Sequence, residues 1–351
     1  MNSCGGAPVR ELPRRDLDHV LDHTRHIWPE FRDGRVFITG GTGFVGSWML
    51  ETLLYAERTL KLGVRVTVLA RARDTFASRF PHLADAPGLC LHVGDVRVVD
   101  PPTHAFTHFV HCASAATPRM NAERPEEVLD LIENGSRRMV EAAEAEKGSR
   151  FLQMSSGSVY GPQPTSVSNI PESFTGEADP ADPAQRFGAA KLVAERRGAL
   201  AVEKGVRFVS ARAFGLVGPR LPLDGPFAIG NFLGDALAGR MADIHGDGTP
   251  VRSWMHAADL AAWCWTLLAR GTPGSAYNVG SEEPLAIAEA AAQVAALAVP
   301  PVPVVRRRNP VQGVVASRYV PDVTRAREEL GLDVWIPFDA AIRRTWEWLR
   351  Q

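Results

Sequence analysis

The segment RVFITGGTGFVG, residues 35–46, decides the fold of this chain. Its first five residues are mostly apolar or β-branched, which is typical of a buried strand. Gly40, Gly43 and Gly46 follow at intervals of three. The first glycine permits a tight turn, the second lets a pyrophosphate approach the backbone, and the third lets the next helix pack on the sheet. Because a helix N-terminus offers free N–H groups to phosphate, the segment predicts a dinucleotide-binding turn.

Outward from this turn, short apolar runs alternate with helical stretches. Strands are predicted over residues 64–70, 89–93, 108–113, 150–156 and 206–214, and helices over 16–31, 47–58, 126–147 and 184–204. Strands that alternate with helices pair in parallel. The sequence therefore predicts an α/β fold, a Rossmann-type doubly wound parallel sheet with a smaller C-terminal substrate-binding lobe.

This pattern divides the chain into three predicted parts. Residues 1–33 would form an N-terminal tail and helix, and residues 34–218 the dinucleotide-binding Rossmann domain. Residues 219–351, which are less regular and richer in Pro and Gly, would form mainly the substrate-binding lobe. We expect this lobe to be discontinuous, with some segments returning to the sheet, and to cover the carboxyl ends of the strands.

The composition restricts the classes of function. The 351 residues include 39 Lys+Arg and 40 Asp+Glu, a net charge of −1, so a general nucleic-acid binder is not expected. No apolar run approaches the ~20 residues of a membrane helix. Four widely spaced cysteines fit free thiols in a reducing cytoplasm, which is the predicted location. His19, His23 and His26 share a helix face, but a polar surface is expected there and no metal site.

The end of the second predicted strand bears on the choice of cofactor. Ala70 stands where an acidic residue would bind the ribose 2′-hydroxyl of NAD. Arg71 and Arg73 follow it and could pair with the 2′-phosphate of NADP. The sequence therefore favours NADP and leaves NAD open.

Further segments resemble the extended short-chain dehydrogenase/reductase family, specifically the NAD(P)-dependent nucleotide-sugar epimerases and dehydratases, over nearly the whole chain after about residue 34. Beside the glycine turn, the segments that carry this resemblance are Gly94-Asp95-Val96, His111-Cys112-Ala113-Ser114, Asn134, SSGSVYG at 155–161, FGAAK at 187–191, RSWMH at 252–256 with Asp259, and YNVG at 277–280. The resemblance implies a nucleotide-diphosphate sugar as substrate, a tightly bound NADP or NAD, and a homodimer built through the helices at 126–147 and 184–204. The implied cofactor contacts are Gly40, Gly43, Phe44, Val45, Gly46, Arg71, Arg73, Asp95, Val96, Cys112, Ala113, Ser114 and Lys191.

The resemblance also implies a catalytic set, and one member of it is changed. Ser156 corresponds to the family's Ser/Thr, and Lys191 to the Lys of its Tyr-x-x-x-Lys motif, but Phe187 stands at the position of the expected Tyr. A phenyl ring fills the same space and cannot move a proton. Three interpretations stay open: a Phe introduced in place of a natural Tyr, an enzyme with another base (Ser156, Lys191 or the substrate itself), and a non-catalytic binding homologue. Tyr160 is no substitute, since the family carries a Tyr there as well.

The residues after Ser156 indicate the reaction. Gly157 and Ser158 are uncharged, whereas by resemblance the family's dehydratases carry an Asp-Glu pair there and its decarboxylases a Glu at the second position. The sequence therefore favours transient oxidation of the sugar, most simply epimerisation at C4. Dehydration, decarboxylation and reduction stay as alternatives. Glu172 is expected to be a solvated loop residue.

Four residues are candidates for binding the substrate. The resemblance to the family implies that Ser156 binds the sugar and that Arg252 and Asn231 bind the diphosphate, and Arg220 is a weaker candidate for the same anion. Gly215 replaces an Asn that the family commonly has. This change is expected to remove one substrate contact and to open space near the sugar.

Overall fold

A computed structural model describes residues 8–100, 106–114, 123–225 and 227–351. Its strands are β1 (Arg35–Thr39), β2 (Arg65–Ala70), β3 (Leu89–Val93), β4 (His108–His111), β5 (Arg150–Ser156), β6 (Arg207–Ala213), β7 (Leu216–Val217), β8 (Ala242–Ile244), β9 (Val251–Arg252), β10 (Met255–His256), β11 (Ser275–Val279), β12 (Leu285–Ala286), β13 (Val304–Arg306) and β14 (Arg318–Tyr319). Its helices are α1 (Arg14–Thr24), α2 (Phe44–Leu60), α3 (Arg73–Arg79), α4 (Pro125–Glu144), α5 (Arg186–Leu200), α6 (Ala228–Leu237), α7 (Ala257–Arg270), α8 (Ile287–Ala295), α9 (Thr324–Leu330) and α10 (Phe338–Leu349). Short 3-10 turns cover Trp28–Phe31, Gly157–Tyr160 and Ala201–Lys204.

Seven parallel strands form the central sheet, in the order β11-β6-β5-β4-β1-β2-β3. This arrangement confirms the predicted Rossmann-type α/β fold. From β1 the chain proceeds outward to β2 and β3, then returns to β4 beside β1 and proceeds the other way. Ligands in such sheets bind where the strand order reverses, at the carboxyl ends of the strands. Here that point lies between β1 and β4.

The C-terminal third supplies one strand of this sheet and several small ladders. β11 pairs in parallel with β6 and was not among the predicted strands. β9 lies between β12 and β14 in a three-stranded sheet. The boundaries of the three predicted parts stay a prediction.

The N-terminal helix is shorter than expected. α1 ends at Thr24, and a separate 3-10 turn covers Trp28–Phe31, so the single helix predicted over residues 16–31 is wrong. Pro29 lacks the N–H that would bond to the Arg25 carbonyl in a continuous α-helix, which explains the break. α1 nevertheless belongs to the main apolar core through Leu17 and Val20.

The main core lies between α1, α2, α7 and the sheet. Its largest fully buried side chains include Trp28, Trp48, Trp263 and Trp265. Every residue of α7 from Ala257 to Ala269 is buried. Within the described ranges, no helix combines the length and the hydropathy that a membrane span requires.

Candidate active site

The glycine turn between β1 and α2 has the shape of an anion cradle. Gly40 has a φ of +69°, and a Cβ there would lie 2.6 Å from the backbone of Cys112. A Cβ on Gly46 would overlap the Gly40 carbonyl oxygen. Gly43 is different, because its Cβ would meet only that oxygen, at 3.3 Å. Gly43 is the N-cap of α2 and no side chain caps the helix, so its first N–H groups are open to a phosphate.

The end of β4 forms the other wall of this cradle. The Thr39 hydroxyl lies 2.6 Å from His111 Nδ1 and accepts a hydrogen bond from the Ala113 amide. Ser114 Oγ is buried and has no hydrogen-bond partner in the part of the chain that the structure describes. Burial raises the pKa of the Cys112 thiol to about 12, which keeps it neutral. A buried hydroxyl without a partner and an uncapped helix fit a bound dinucleotide.

Two arginines lie at the predicted 2′-phosphate position. β2 pairs with β1, and Leu69 is the neighbour of Thr39, so Arg71 and Arg73 lie at the same sheet edge as the glycine turn. Neither arginine forms an ion pair with any described carboxylate. Asp95, predicted to contact the adenine, instead receives two hydrogen bonds from the Arg97 guanidinium, which hold its pKa below the usual range. Its role toward a cofactor stays a prediction.

Three further predicted cofactor residues are apolar. Phe44 and Val45 open α2 directly after the turn. Val96 is buried and packs with Phe37 in a second apolar cluster. The structure brings Phe44 and Val45 to the cradle, whereas Val96 contributes mainly to the core.

The carboxyl end of β5 carries Ser156 and an uncharged turn. Ser156 Oγ accepts hydrogen bonds from the Ser158 amide at 3.2 Å and from the Ser158 hydroxyl at 2.9 Å. A Cβ on Gly157 would overlap the Phe214 ring. A carboxylate at position 157 is therefore excluded unless Phe214 moves.

α5 packs against this turn and brings the predicted motif to the site. A Cβ on Gly188 would overlap the Ser158 carbonyl oxygen, which shows how close helix and turn lie. Lys191 is only 4% exposed, and its Nζ donates to the Met154 carbonyl at 2.9 Å. Burial lowers the pKa of Lys191 to about 8. The Phe187 ring centroid lies 5.7 Å from that Nζ.

Arg252 on β9 is a half-buried cation without a counter-ion. Its guanidinium donates to the Val251 carbonyl at 2.8 Å and to the Ser317 carbonyl at 3.2 Å. No carboxylate of the described residues pairs with it, and burial lowers its pKa. An unpaired, partly desolvated guanidinium is suited to bind a phosphate.

Tyr319 on β14 lies beside Arg252, and the sequence reasoning did not single it out. It is the register partner of Arg252 in the parallel ladder between β9 and β14. Its ring packs on Phe214, with centroids 4.5 Å apart. Burial raises the pKa of Tyr319 to about 12.

Comparisons with known proteins identify the family. The model of the NAD dependent epimerase/dehydratase family matches residues 36–280. The chain belongs to this family. The resemblance drawn from the motifs is thereby confirmed.

Curated relatives of the chain include enzymes of two reaction types. UDP-glucuronic acid decarboxylase 1 from Danio rerio is 27% identical over 317 residues, which are 89% of this chain and 71% of that protein. dTDP-glucose 4,6-dehydratase from Streptomyces niveus is 26% identical over 330 residues, 90% of this chain and 93% of that protein.

Solved structures of similar fold include epimerases. An epimerase from Methanothermobacter thermautotrophicus gives a TM-score of 0.76 at 22% identity, covering 94% of this chain and 95% of that one. UDP-glucose 4-epimerase from Thermotoga maritima, solved with UDP-glucose, gives 0.75 at 21% identity, covering 90% and 98%. At these identities the structures support the fold.

Two predicted substrate ligands of this family member have partners inside the protein. Arg220 forms a buried ion pair with Glu51 of α2 and also donates to the Arg10 carbonyl. It is therefore corrected from a substrate ligand to a structural residue that joins the N-terminal segment to α2. Asn231 Nδ2 donates to the Gly225 carbonyl at 3.1 Å, so its amide holds its own loop.

Two other expectations near the sugar site are also corrected. Gly215 opens no space, because a Cβ there would overlap the Ser253 carbonyl oxygen, so the backbone of that segment fills the position. Glu172 is not a solvated loop residue. It is half-buried and accepts a hydrogen bond from the Asn278 amide at 2.8 Å, which ties its loop to β11.

Proposed function

We propose that this family member binds NADP or NAD, with a preference for NADP, together with a nucleotide-diphosphate sugar. It modifies the sugar by transient oxidation, most simply epimerisation at C4. The observation that carries this proposal is one juxtaposition. Ser156 and Lys191 stand at the carboxyl end of β5, on the same sheet edge as the open glycine turn, and the turn after Ser156 carries no acid.

In this proposal each residue of the site has a separate role. A bound nicotinamide cofactor supplies the acceptor and donor of hydride. Lys191, buried and held by Met154, presents its remaining N–H donors to that cofactor. Ser156 hydrogen-bonds the reacting sugar oxygen, and Arg252 provides the positive charge for the substrate diphosphate.

The uncharged turn favours epimerisation over the reactions named for the curated relatives. Elimination of water and loss of a carboxyl group both call for groups beyond a hydride carrier and a hydroxyl. The Phe214 ring occupies the space that a side chain at position 157 would need, and the Ser158 hydroxyl donates its hydrogen bond to Ser156 Oγ. Epimerisation needs only oxidation, rotation of the keto-sugar and return of the hydride.

Phe187 leaves the proton of the sugar hydroxyl without the usual base. Lys191 supports an alternative, because a buried amine with a pKa of about 8 is partly neutral near physiological pH. The second candidate function is binding without turnover on the same scaffold, and Phe187 is the observation that favours it.

The test is incubation of the purified chain and of Phe187→Tyr with UDP-, dTDP-, GDP- and CDP-sugars in ordinary water, followed by NMR and mass spectrometry of the sugars. Epimerisation gives a C4 epimer of unchanged mass, because the same hydride returns. A mass loss of 18 or 44 would correspond to dehydration or decarboxylation.

Each outcome selects one function. Turnover by Phe187→Tyr alone supports the binding-only alternative for the chain as it stands. If neither protein converts or binds any of these sugars, the proposed function is wrong. The expected homodimer and cytoplasmic location stay predictions.

A further inference from the structure

Two serine side chains, those of Ser156 and Ser158, meet at the carboxyl end of β5. Ser156 ends the strand and is the N-cap of the 3-10 turn Gly157–Tyr160. Its Oγ accepts one hydrogen bond from the Ser158 amide at 3.2 Å and a second from the Ser158 hydroxyl at 2.9 Å. Both residues are half-buried, so a ligand can still reach them.

The backbone of Ser158 is held in place from two directions. Its carbonyl accepts a hydrogen bond from the Gly161 amide at 3.2 Å, which closes the turn. From α5, Gly188 approaches the same carbonyl so closely that a Cβ there would lie 2.2 Å from its oxygen. The two hydrogen bonds to Ser156 Oγ therefore come from a residue whose position is fixed by packing.

These two bonds use the whole accepting capacity of Ser156. A serine hydroxyl has two acceptor lone pairs and one proton. While Ser158 occupies both lone pairs, Ser156 can donate a hydrogen bond to a ligand but cannot accept a proton from it. A group in this state is a donor and not a base.

We propose that Ser158 is a positioning residue, which fixes Ser156 as a hydrogen-bond donor toward the sugar oxygen at C4. This inference rests on the proposed function and deepens it, because it removes Ser156 from the candidates for the base that replaces the tyrosine absent at position 187. A ketone oxygen accepts hydrogen bonds and has none to donate, so it is the ligand group that such a serine fits. Ser156 then stabilises the keto-sugar, and the base is Lys191 or the substrate itself.

The test measures which polarity Ser156 presents to the sugar. Calorimetry with NADP present gives the affinities of UDP, dTDP, GDP and CDP, and of their conjugates with two 6-deoxyhexoses. One hexose carries a ketone at C4 and the other an amine, at a pH where the amine is protonated. We expect the wild type to bind the ketone about 10²-fold more tightly than the amine, because an ammonium group beside a donor has no acceptor.

Two variants trace this preference to the serine pair. Ser158→Ala frees one lone pair of Ser156, so it should bind the amine about tenfold more tightly than the wild type does. A gain of affinity is not expected from a variant that only loosens the turn. Ser156→Ala removes the donor itself and should weaken the ketone about tenfold. Where turnover is measurable, Ser158→Ala should lower kcat about tenfold and leave KM within about twofold.

The matched controls are Ser158→Thr and Ser155→Ala. Ser158→Thr keeps the hydroxyl and should keep the ketone-to-amine ratio of the wild type. Ser155→Ala removes the neighbouring hydroxyl of the same strand, which is buried, has no hydrogen-bond partner among the described residues and points to the other face of the sheet. It should also leave the ratio within about twofold.

Each outcome bears on one of the two proposals. Equal affinity of the wild type for ketone and amine overturns the donor role of Ser156 and leaves the proposed function intact. A ratio that Ser158→Ala does not change, or that Ser155→Ala changes equally, overturns the positioning role of Ser158. If the wild type binds no nucleoside diphosphate and no conjugate, the proposed function fails, and the inference fails with it.

Discussion

The glycine turn and the proposed sugar site lie at neighbouring strand ends and are built in opposite ways. The turn is one continuous segment whose shape is fixed by backbone contacts, such as that between Gly46 and Gly40. The proposed sugar site is assembled from side chains on three separate elements: Ser156 on β5, Phe187 with Lys191 on α5 and Arg252 on β9.

This difference determines how each site tolerates change. In the turn, a single added methyl group meets backbone that cannot move aside. In the assembled site, a lost hydroxyl at position 187 leaves the packing intact, since the Phe187 ring still packs among Val128, Ile132 and Ala190. A side-chain site can therefore change its chemistry while the backbone site keeps its shape.

The largest effect is expected from a methyl group in the turn, with the outcome depending on which glycine receives it. Gly46→Ala should lower the free energy of unfolding by more than about 3 kcal/mol, because its Cβ overlaps the Gly40 carbonyl oxygen. Gly43→Ala should change stability by less than about 1 kcal/mol, because its Cβ stays 3.3 Å from that atom. Urea denaturation measures both.

The same two variants distinguish a glycine required for packing, Gly46, from a glycine required for binding the dinucleotide, Gly43. We expect Gly43→Ala to fold normally and to lose about 10²-fold in NADP affinity, since the added methyl group stands where the pyrophosphate approaches. Fluorescence titration with NADPH measures this. Unchanged affinity in Gly43→Ala would show that the turn does not hold a dinucleotide.

Sequence reasoning succeeded where the partners are close along the chain. The strand-turn-helix segment at residues 35–46 and the parallel sheet followed from contiguous motifs and alternating runs, whereas the roles given to Ser156 and Lys191 stay predictions. Sequence reasoning failed where the role of a residue depends on its contact with a distant segment of the chain. Arg220 was read as a ligand because Glu51, its partner across the fold, cannot be inferred from the residues around it.

Tyr319 illustrates the same limit from the other direction. Its position beside Arg252 depends on the pairing of β14 with β9, and its ring packs on Phe214. Both are tertiary contacts that the residues around Tyr319 in the sequence do not indicate.

A second prediction concerns the buried amine of the assembled site. In the unfolded chain Lys191 keeps its proton up to its ordinary pKa of 10.5, whereas burial lowers its pKa to about 8 in the folded chain. Between these values the unfolded chain binds more protons at Lys191, so the contribution of Lys191 to the free energy of unfolding should rise with pH, by up to about 3 kcal/mol. The buried thiols of Cys112 and Cys264 have raised pKa values and give the opposite slope above their ordinary pKa of 9. Urea denaturation of the wild type and of Lys191→Met at pH 7.5, 9 and 10.5 therefore measures the rise as the difference between the two proteins.

Lys191→Met should remove most of this dependence and give a protein more stable than the wild type at pH 7.5. The matched control is Lys204→Met, since Lys204 is exposed and pairs with Glu144. It should leave the pH dependence as it is. A stability difference between the wild type and Lys191→Met that stays constant from pH 7.5 to 10.5 would mean that burial does not lower the pKa of Lys191, and would contradict its assignment as the alternative base.

The smallest effect is expected at Arg71 and Arg73, which lie beside the glycine turn. There the affinity for the dinucleotide depends on side chains and not on backbone contacts. No described carboxylate forms an ion pair with Arg71 or Arg73, although the charge of Arg71 contributes to the lowered pKa of Asp95, so a 2′-phosphate would be the first anion in direct contact with them. Arg71→Ser with Arg73→Ser should therefore weaken NADP about tenfold and leave NAD within about twofold, because exposed charge pairs contribute about 1 kcal/mol or less each. Titration at low and high salt measures it. Equal losses for both dinucleotides would assign these arginines to the shared pyrophosphate and remove the basis for preferring NADP.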